Sequence, residues 1–384
     1  MTRLIAACCG LLLSGCTLSH SEAEHALTSA LQSTVEDAPT VRHGVLRVQT
    51  ADREIDACWA IGDAMPGRPI TADTPFLSAS IGKLVVAATV FDLAADGLLS
   101  LDDPLSRWLD PTLLAGLPVQ GGDPAVLQIT VGQLLQHRSG LPDYFDGTTV
   151  PPHDGAPDVL GLLASEPERT WTPLALLDYT RTHFPPAGAP GERFAYSDLN
   201  YDLVGMVIAS ATGAPWHEAV RSRVLDPLGM LHTWVHLHES PPPGIPELAG
   251  AWLGDLEIGR SPGLSLDGAG GGLATTTGDL VTLIRGLEVG QPVALSVLAS
   301  DTTPDALHRG IDYGYGAWHV KPGRMLFLMA GLPELRGVSG ATGSFVYLTP
   351  QGTVVAGTFD QIDMAEGHVE FLLRHVLPTL SRVR

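Results

Sequence analysis

The sequence predicts an α+β fold: an antiparallel β-sheet flanked by helices, with a mostly helical insertion. Two observations carry this. Strand-like runs gather at both ends of the chain, whereas the middle reads as helices and loops. One apolar run, Lys83 to Ala95, is too long and too poor in turn signals for a strand, so it reads as a helix stopped by Gly97. That run is apolar on nearly every side, which places it in the middle of a domain.

The elements follow in order. Arg3 and the apolar stretch Leu4 to Leu13 form a targeting segment too short to cross a bilayer. Leu13-Ser14-Gly15-Cys16 comes next and resembles a bacterial lipobox. The resemblance implies a lipoprotein signal peptide over residues 1–16, with Cys16 as the lipid-bearing first residue of the mature protein. An ordinary signal peptide cut nearby is the alternative. Thr17, which is not aspartate, implies the outer membrane. Of four cysteines only Cys58 would then keep a thiol, so no internal disulfide is expected. Residues 17–40 are polar and read as a tether. Val45 to Val48 and Ile55 to Ile61, parted by Ala51-Asp52-Arg53, read as a hairpin.

Past the central helix, Thr130 caps a short helix through Gln136. Thr172 to His183, Tyr201 to Ala211 and Trp216 to Leu225 read as further helices, and Thr277-Gly278-Asp279 opens another. Tyr315 to Val320, Met325 to Ala330, Ser344 to Leu348 and Val354 to Thr358 read as a meander, closed by a helix over Ala365 to Leu380. Residues 41–384 thus form one domain. Its α/β lobe takes in about 41–110 and 270–384, and its helical lobe about 111–269.

With 384 residues, 45% of them hydrophobic and 17% charged, the chain is globular. A net charge of -20 argues against nucleic acid and against a polybasic membrane patch.

The chemistry gathers at Ser80-Ile81-Gly82-Lys83. On a helix, positions i and i+3 share a face, so Ser80 and Lys83 point the same way at a helix start. Of 22 basic residues only Lys83 and Lys321 are lysines. Arginine keeps its proton, whereas a desolvated lysine can release it. A lysine one turn from a serine therefore suggests a serine nucleophile with a basic partner. The plain alternative is a chance Ser-x-x-Lys with a snorkelling lysine. His232, His236 and His238 have no cysteine nearby, and no metal or cofactor is expected.

Ser80-x-x-Lys83, Tyr196-Ser197-Asp198 and Ser339-Gly340 together resemble the three motifs of serine β-lactamases and penicillin-binding proteins. Gly97 to Pro104, Leu134 to Pro142, Pro227-Leu228-Gly229-Met230 and Gly271 to Thr276 extend the resemblance over roughly residues 40–384. It is strongest to the class C-like group with its D-alanyl-D-alanine carboxypeptidases and family VIII esterases. The resemblance implies a β-lactamase/transpeptidase-like fold and a periplasmic serine hydrolase that forms an acyl-enzyme on an ester, amide or β-lactam. Ser80 would be the nucleophile, and Lys83 and Tyr196 would handle its proton. Asp198, Ser339, Gly340 and Ala341 would contact substrate, the Ala341 N–H sharing an oxyanion hole with that of Ser80. His137 would belong to a structural turn. Asp198 stands where asparagine is frequent; a carboxylate there favours charged Lys83 and tilts the base role toward Tyr196.

One position departs from the pattern. Val338 occupies the place of a lysine or histidine that binds the substrate carboxylate. Arg336, two residues away on the same strand face, is the expected substitute. The competing reading is a protein of the penicillin-recognising fold that binds a ligand or cell-wall peptide without turnover.

Overall fold

The computed structural model describes residues 17–145, 147, 150–364 and 367–383; the expected signal peptide and Cys16 lie outside them. Among the described residues one antiparallel sheet holds β1 (His43–Gln49), β2 (Asp56–Met65), β3 (Arg68–Pro69), β4 (Thr303–His308), β5 (Ile311–Tyr313), β6 (Trp318–Val320), β7 (Leu335–Ser339), β8 (Phe345–Leu348) and β9 (Val354–Thr358). Their spatial order is β3-β2-β1-β9-β8-β7-β6-β5-β4. The first strand pairs with the last, Val45 opposite Thr358 and Gln49 opposite Val354. The two ends of the chain thus build one sheet, and everything between β3 and β4 is an excursion from it. Val354 to Thr358 is buried throughout, as an unbroken small and apolar run requires of a strand covered on both faces.

One face carries helix α1 (His20–Asp37) and a closing helical segment from Gly367 to Leu380, packed on Phe345, Tyr347 and Val355. The other carries α2 (Ile81–Ala95) and α4 (Thr277–Glu288), against Val338, Val346 and Ala356. Apolar packing continues without a break from this face into the insertion, through Leu134, Leu203 and Val207, the last two on α3 (Leu199–Thr212). The lobes are also stitched by a small sheet of Phe76–Leu77, Leu273–Thr275 and Trp234–Val235.

The expected hairpin, the central helix and the Thr130, Thr172 and Gly213 boundaries are all present. Two expectations are corrected. Residues 17–40 are not a tether: Ser19 caps α1 in a reciprocal capping box with Glu22, and Ala23, Leu27 and Leu31 are buried against the sheet. The stripe is only one residue wide per turn, so the segment looks polar when averaged. Met325 to Ala330 is not a strand either. Pro322 starts a helical turn to Met325, a second turn spans Phe327–Met329, and the strand begins later, at Leu335.

Candidate active site

Ser80 sits at the N-cap of α2, and its hydroxyl makes no capping bond, which leaves it available for other work. Ala79, the residue before it, has a φ of 46°, in the left-handed region that non-glycine residues avoid. The turn after β7 presses on this strained segment. Ser344 Oγ donates to Ser78 O at 2.7 Å and Thr342 Oγ1 to Leu77 O at 3.1 Å. Gly340 permits the approach: a methyl group there would lie 2.4 Å from Ser78 O and 2.9 Å from Ala79 Cβ.

Lys83 is 1% exposed. Its ammonium donates to Ser80 Oγ at 3.1 Å and to Gly270 O at 2.9 Å, and pairs with Asp198 Oδ1 at 2.5 Å. Two hydrogen bonds and one close ion pair thus hold the ammonium in place. Burial works against its charge, but its acidic neighbours, Asp198 first, outweigh burial and hold the group well above the ordinary lysine range. Tyr196 Oη lies 3.1 Å from Ser80 Oγ. Burial raises the phenol's pKa, and the Lys83 charge only partly offsets it, so the resting group is a neutral phenol.

The Tyr196 ring is stacked on His137 with centroids 4.1 Å apart. Both imidazole nitrogens are committed. Nδ1 accepts from the Ser197 N–H at 3.2 Å and faces Asn200 Nδ2 at 3.1 Å, and Nε2 faces Tyr313 Oη at 3.0 Å. This pattern fits the Nε2–H tautomer donating to Tyr313. Burial, then the nearby Lys83 charge, holds His137 well below its ordinary pKa and so neutral. A neutral ring with both nitrogens engaged cannot collect a proton; it fixes the plane of Tyr196.

The structure brings Ser80, Lys83, Tyr196 and Asp198 together. It separates the third motif by face. Val338 is 1% exposed, in the apolar core on the α2 side. Ser339 points the other way, its Oγ 2.7 Å from Tyr347 Oη in the outer layer, so its side chain is not turned toward substrate as expected. What remains of that motif is main chain: among the described residues neither the Ser80 nor the Ala341 N–H has a backbone partner. Arg336 is exposed and pairs across β7 with His319 and Leu348. It lies about 7 Å farther along the strand from the Ser80 end than Val338, so it does not replace the missing cation.

Three participants escaped the sequence reading. Gly270 supplies a carbonyl to Lys83. Tyr313 anchors His137. Asp267 lies against Gly271, where a methyl group would be 2.5 Å from its Oδ1 and 2.8 Å from the Ala79 carbonyl carbon. Its carboxyl is pushed up to about 6 by burial, with Lys83 opposing and Asp198 reinforcing. The run Gly268 to Gly272 was the available signal, since consecutive glycines mark close backbone approach. Nothing local marked Tyr313, which comes from a strand far along the chain.

Comparison with known proteins places this geometry. The family model described as Beta-lactamase matches residues 31–360. Esterase EstB of Burkholderia gladioli is 34% identical over 50% of this chain and 45% of its own. Penicillin-binding protein 4* of Bacillus subtilis is 26% identical over 65% of this chain and 53% of its own. The chain thus spans about half the length of these curated relatives. Among solved structures, D-amino acid amidase from Ochrobactrum anthropi SV3 superposes with a TM-score of 0.74 at 24% identity, covering 94% of this chain and 99% of that one. A D-stereospecific amidohydrolase from Streptomyces sp. gives a TM-score of 0.70 at 26% identity, covering 91% and 98%. A match running through both lobes and an arrangement built on Ser80, Lys83 and Tyr196 lead to one conclusion: the chain belongs to the beta-lactamase family.

Proposed function

We propose that this protein is a periplasmic serine hydrolase, anchored to the outer membrane by lipid on Cys16, that works without a cofactor. It forms an acyl-enzyme on Ser80 and acts on esters and amides lacking a carboxylate near the scissile bond. One observation carries the chemistry: Ser80 Oγ lies 3.1 Å from both Lys83 Nζ and Tyr196 Oη. The names of relatives, an esterase and an amidohydrolase, support the ester and amide reading.

The protonation states suit a relay. Lys83 stays charged and serves as an electrostatic anchor. As Ser80 Oγ bonds to the substrate carbonyl carbon, its proton passes to Tyr196 Oη, and Tyr196 hands its own proton to the leaving group as that bond breaks. The phenol is neutral before and after. The N–H groups of Ser80 and Ala341 would receive the oxyanion. Water then follows the reverse route, giving a proton to Tyr196, which returns one to Ser80.

The buried Val338 favours a second reading, a binder of ligand or cell-wall peptide without turnover. Intact mass after exposure to a fluorophosphonate separates the two. An adduct on the wild type that is absent from Ser80→Ala, together with loss of activated-ester hydrolysis by several orders of magnitude in that variant, is the expected result. An unmodified, inactive wild type would leave only the binder.

A further inference from the structure

The sheet has two ends. Ser80 stands at one of them, beside the turn after β7. At the other lie the β1–β2 turn, because Gln49 pairs with Asp56, and the β6–β7 connection, because Val320 pairs with Leu335. The chain enters at this second end too. His20 pairs with Glu54 in the β1–β2 turn at 3.0 Å. The Leu18 N–H donates to Arg382 O at 2.8 Å, and Leu18 bridges to Val383 beyond the closing helix.

Since residues 20–37 fold as α1, no tether remains. Only Thr17 separates Cys16 from the pinned Leu18. Two residues span at most about 7 Å. A lipid on Cys16 therefore holds this end of the sheet directly on the bilayer. The same end displays Phe327, 86% exposed, and Leu328, 46% exposed, in the β6–β7 connection. Their neighbours Met325, Leu326, Met329 and Leu332 pack into the same outer layer as Leu18 and Val383.

We propose that Phe327 and Leu328 insert into the lipid surface beside the N-terminal anchor, fixing the domain with its Ser80 end turned away from the membrane. This rests on the lipid-anchored reading above. The pinned Leu18 selects a bilayer as the occupant, and exposed apolar side chains at membrane level are what a bilayer interface accepts. With a net charge of -20 the attraction must be apolar, so the contact should form on uncharged lipid.

The test uses the full chain extracted from bacterial membranes and reconstituted in phosphatidylcholine vesicles. A polarity-sensitive fluorophore is placed on Phe327→Cys, or on Leu237→Cys, in a Cys58→Ser background. Leu237 is 47% exposed and stands near Gly271 at the Ser80 end. The expected result is acyl mass on Cys16, a blue shift at position 327 and none at 237. Acyl mass with no shift at 327, or with equal shifts at both sites, overturns the insertion. A shift at 327 that appears without vesicles and grows with protein concentration shows a second copy there and also overturns it. Absence of acyl mass overturns the lipid-anchored reading itself, and the insertion with it.

Discussion

At position 338, where the motif resemblance led to the expectation of a cation, a buried valine stands among apolar side chains. A carboxylate entering beside Ser80 finds no cation from β7, because Arg336 lies farther along the strand and exposed. Val338→His should therefore raise the preference for carboxylate-bearing over neutral esters. One charge-assisted hydrogen bond contributes about 1.5–3 kcal/mol, or about one to two orders of magnitude in the ratio of kcat/KM values. An unpartnered imidazole in this core would cost about 1–3 kcal/mol of stability, so a thermal melt accompanies the kinetics. A folded variant with an unchanged ratio would show that this position does not set substrate charge. The residues of this site were legible to different depths. Ser80 and Lys83 lie one helical turn apart, so spacing alone paired them. Ser339 was misjudged because strand alternation, set by which face Val338 takes, turned its hydroxyl to Tyr347. Tyr313 acts through a folding contact that no local pattern encodes, whereas Asp267 adjoins the run Gly268 to Gly272, whose consecutive glycines mark close backbone approach.

The same contrast holds for whole elements. α2 was readable because its apolar residues occupy every face, and Val354 to Thr358 because its run is unbroken. α1 was not, because a single stripe of Ala23, Leu27 and Leu31 is diluted by polar residues around it. Its docking can be tested directly. Leu27 is fully buried, and Leu27→Ala should destabilise the protein by about 2–5 kcal/mol. Were residues 17–40 a solvated tether, the change would stay within about 0.5 kcal/mol. Denaturant unfolding of the purified variant distinguishes these outcomes. Met325 to Ala330 misled in the opposite sense: its apolar residues mimic a strand, yet Pro322 forces a helical turn just before them and two of the side chains remain in solvent.

At the scale of the molecule, the site lies where sheet, α2 and insertion meet, and charge is concentrated there. Lys83 faces Asp198 directly, and Asp267 lies close behind Gly271. Lys83 is held charged, and beside it Asp267 is an acid whose charge burial disfavours. In the folded protein its carboxyl titrates at about 6, against an unperturbed 3.8. Between those values the native state holds a proton that the unfolded chain has released, so stability falls as pH rises through that window. The contribution is fully present below the unfolded value and lost as pH rises through about 6. Asp267→Asn keeps the neutral form throughout. The variant should be more stable than wild type at pH 7, by at most about 3 kcal/mol, and solvent reaching the half-buried carboxyl lowers that ceiling. The gap should close toward pH 4, where both side chains are neutral. Thermal melts of the two proteins at pH 4 and pH 7 make the comparison. A variant less stable at pH 7, or a gap of equal size at both pH values, would mean that Asp267 is held charged by Lys83 and belongs to its ion-pair network.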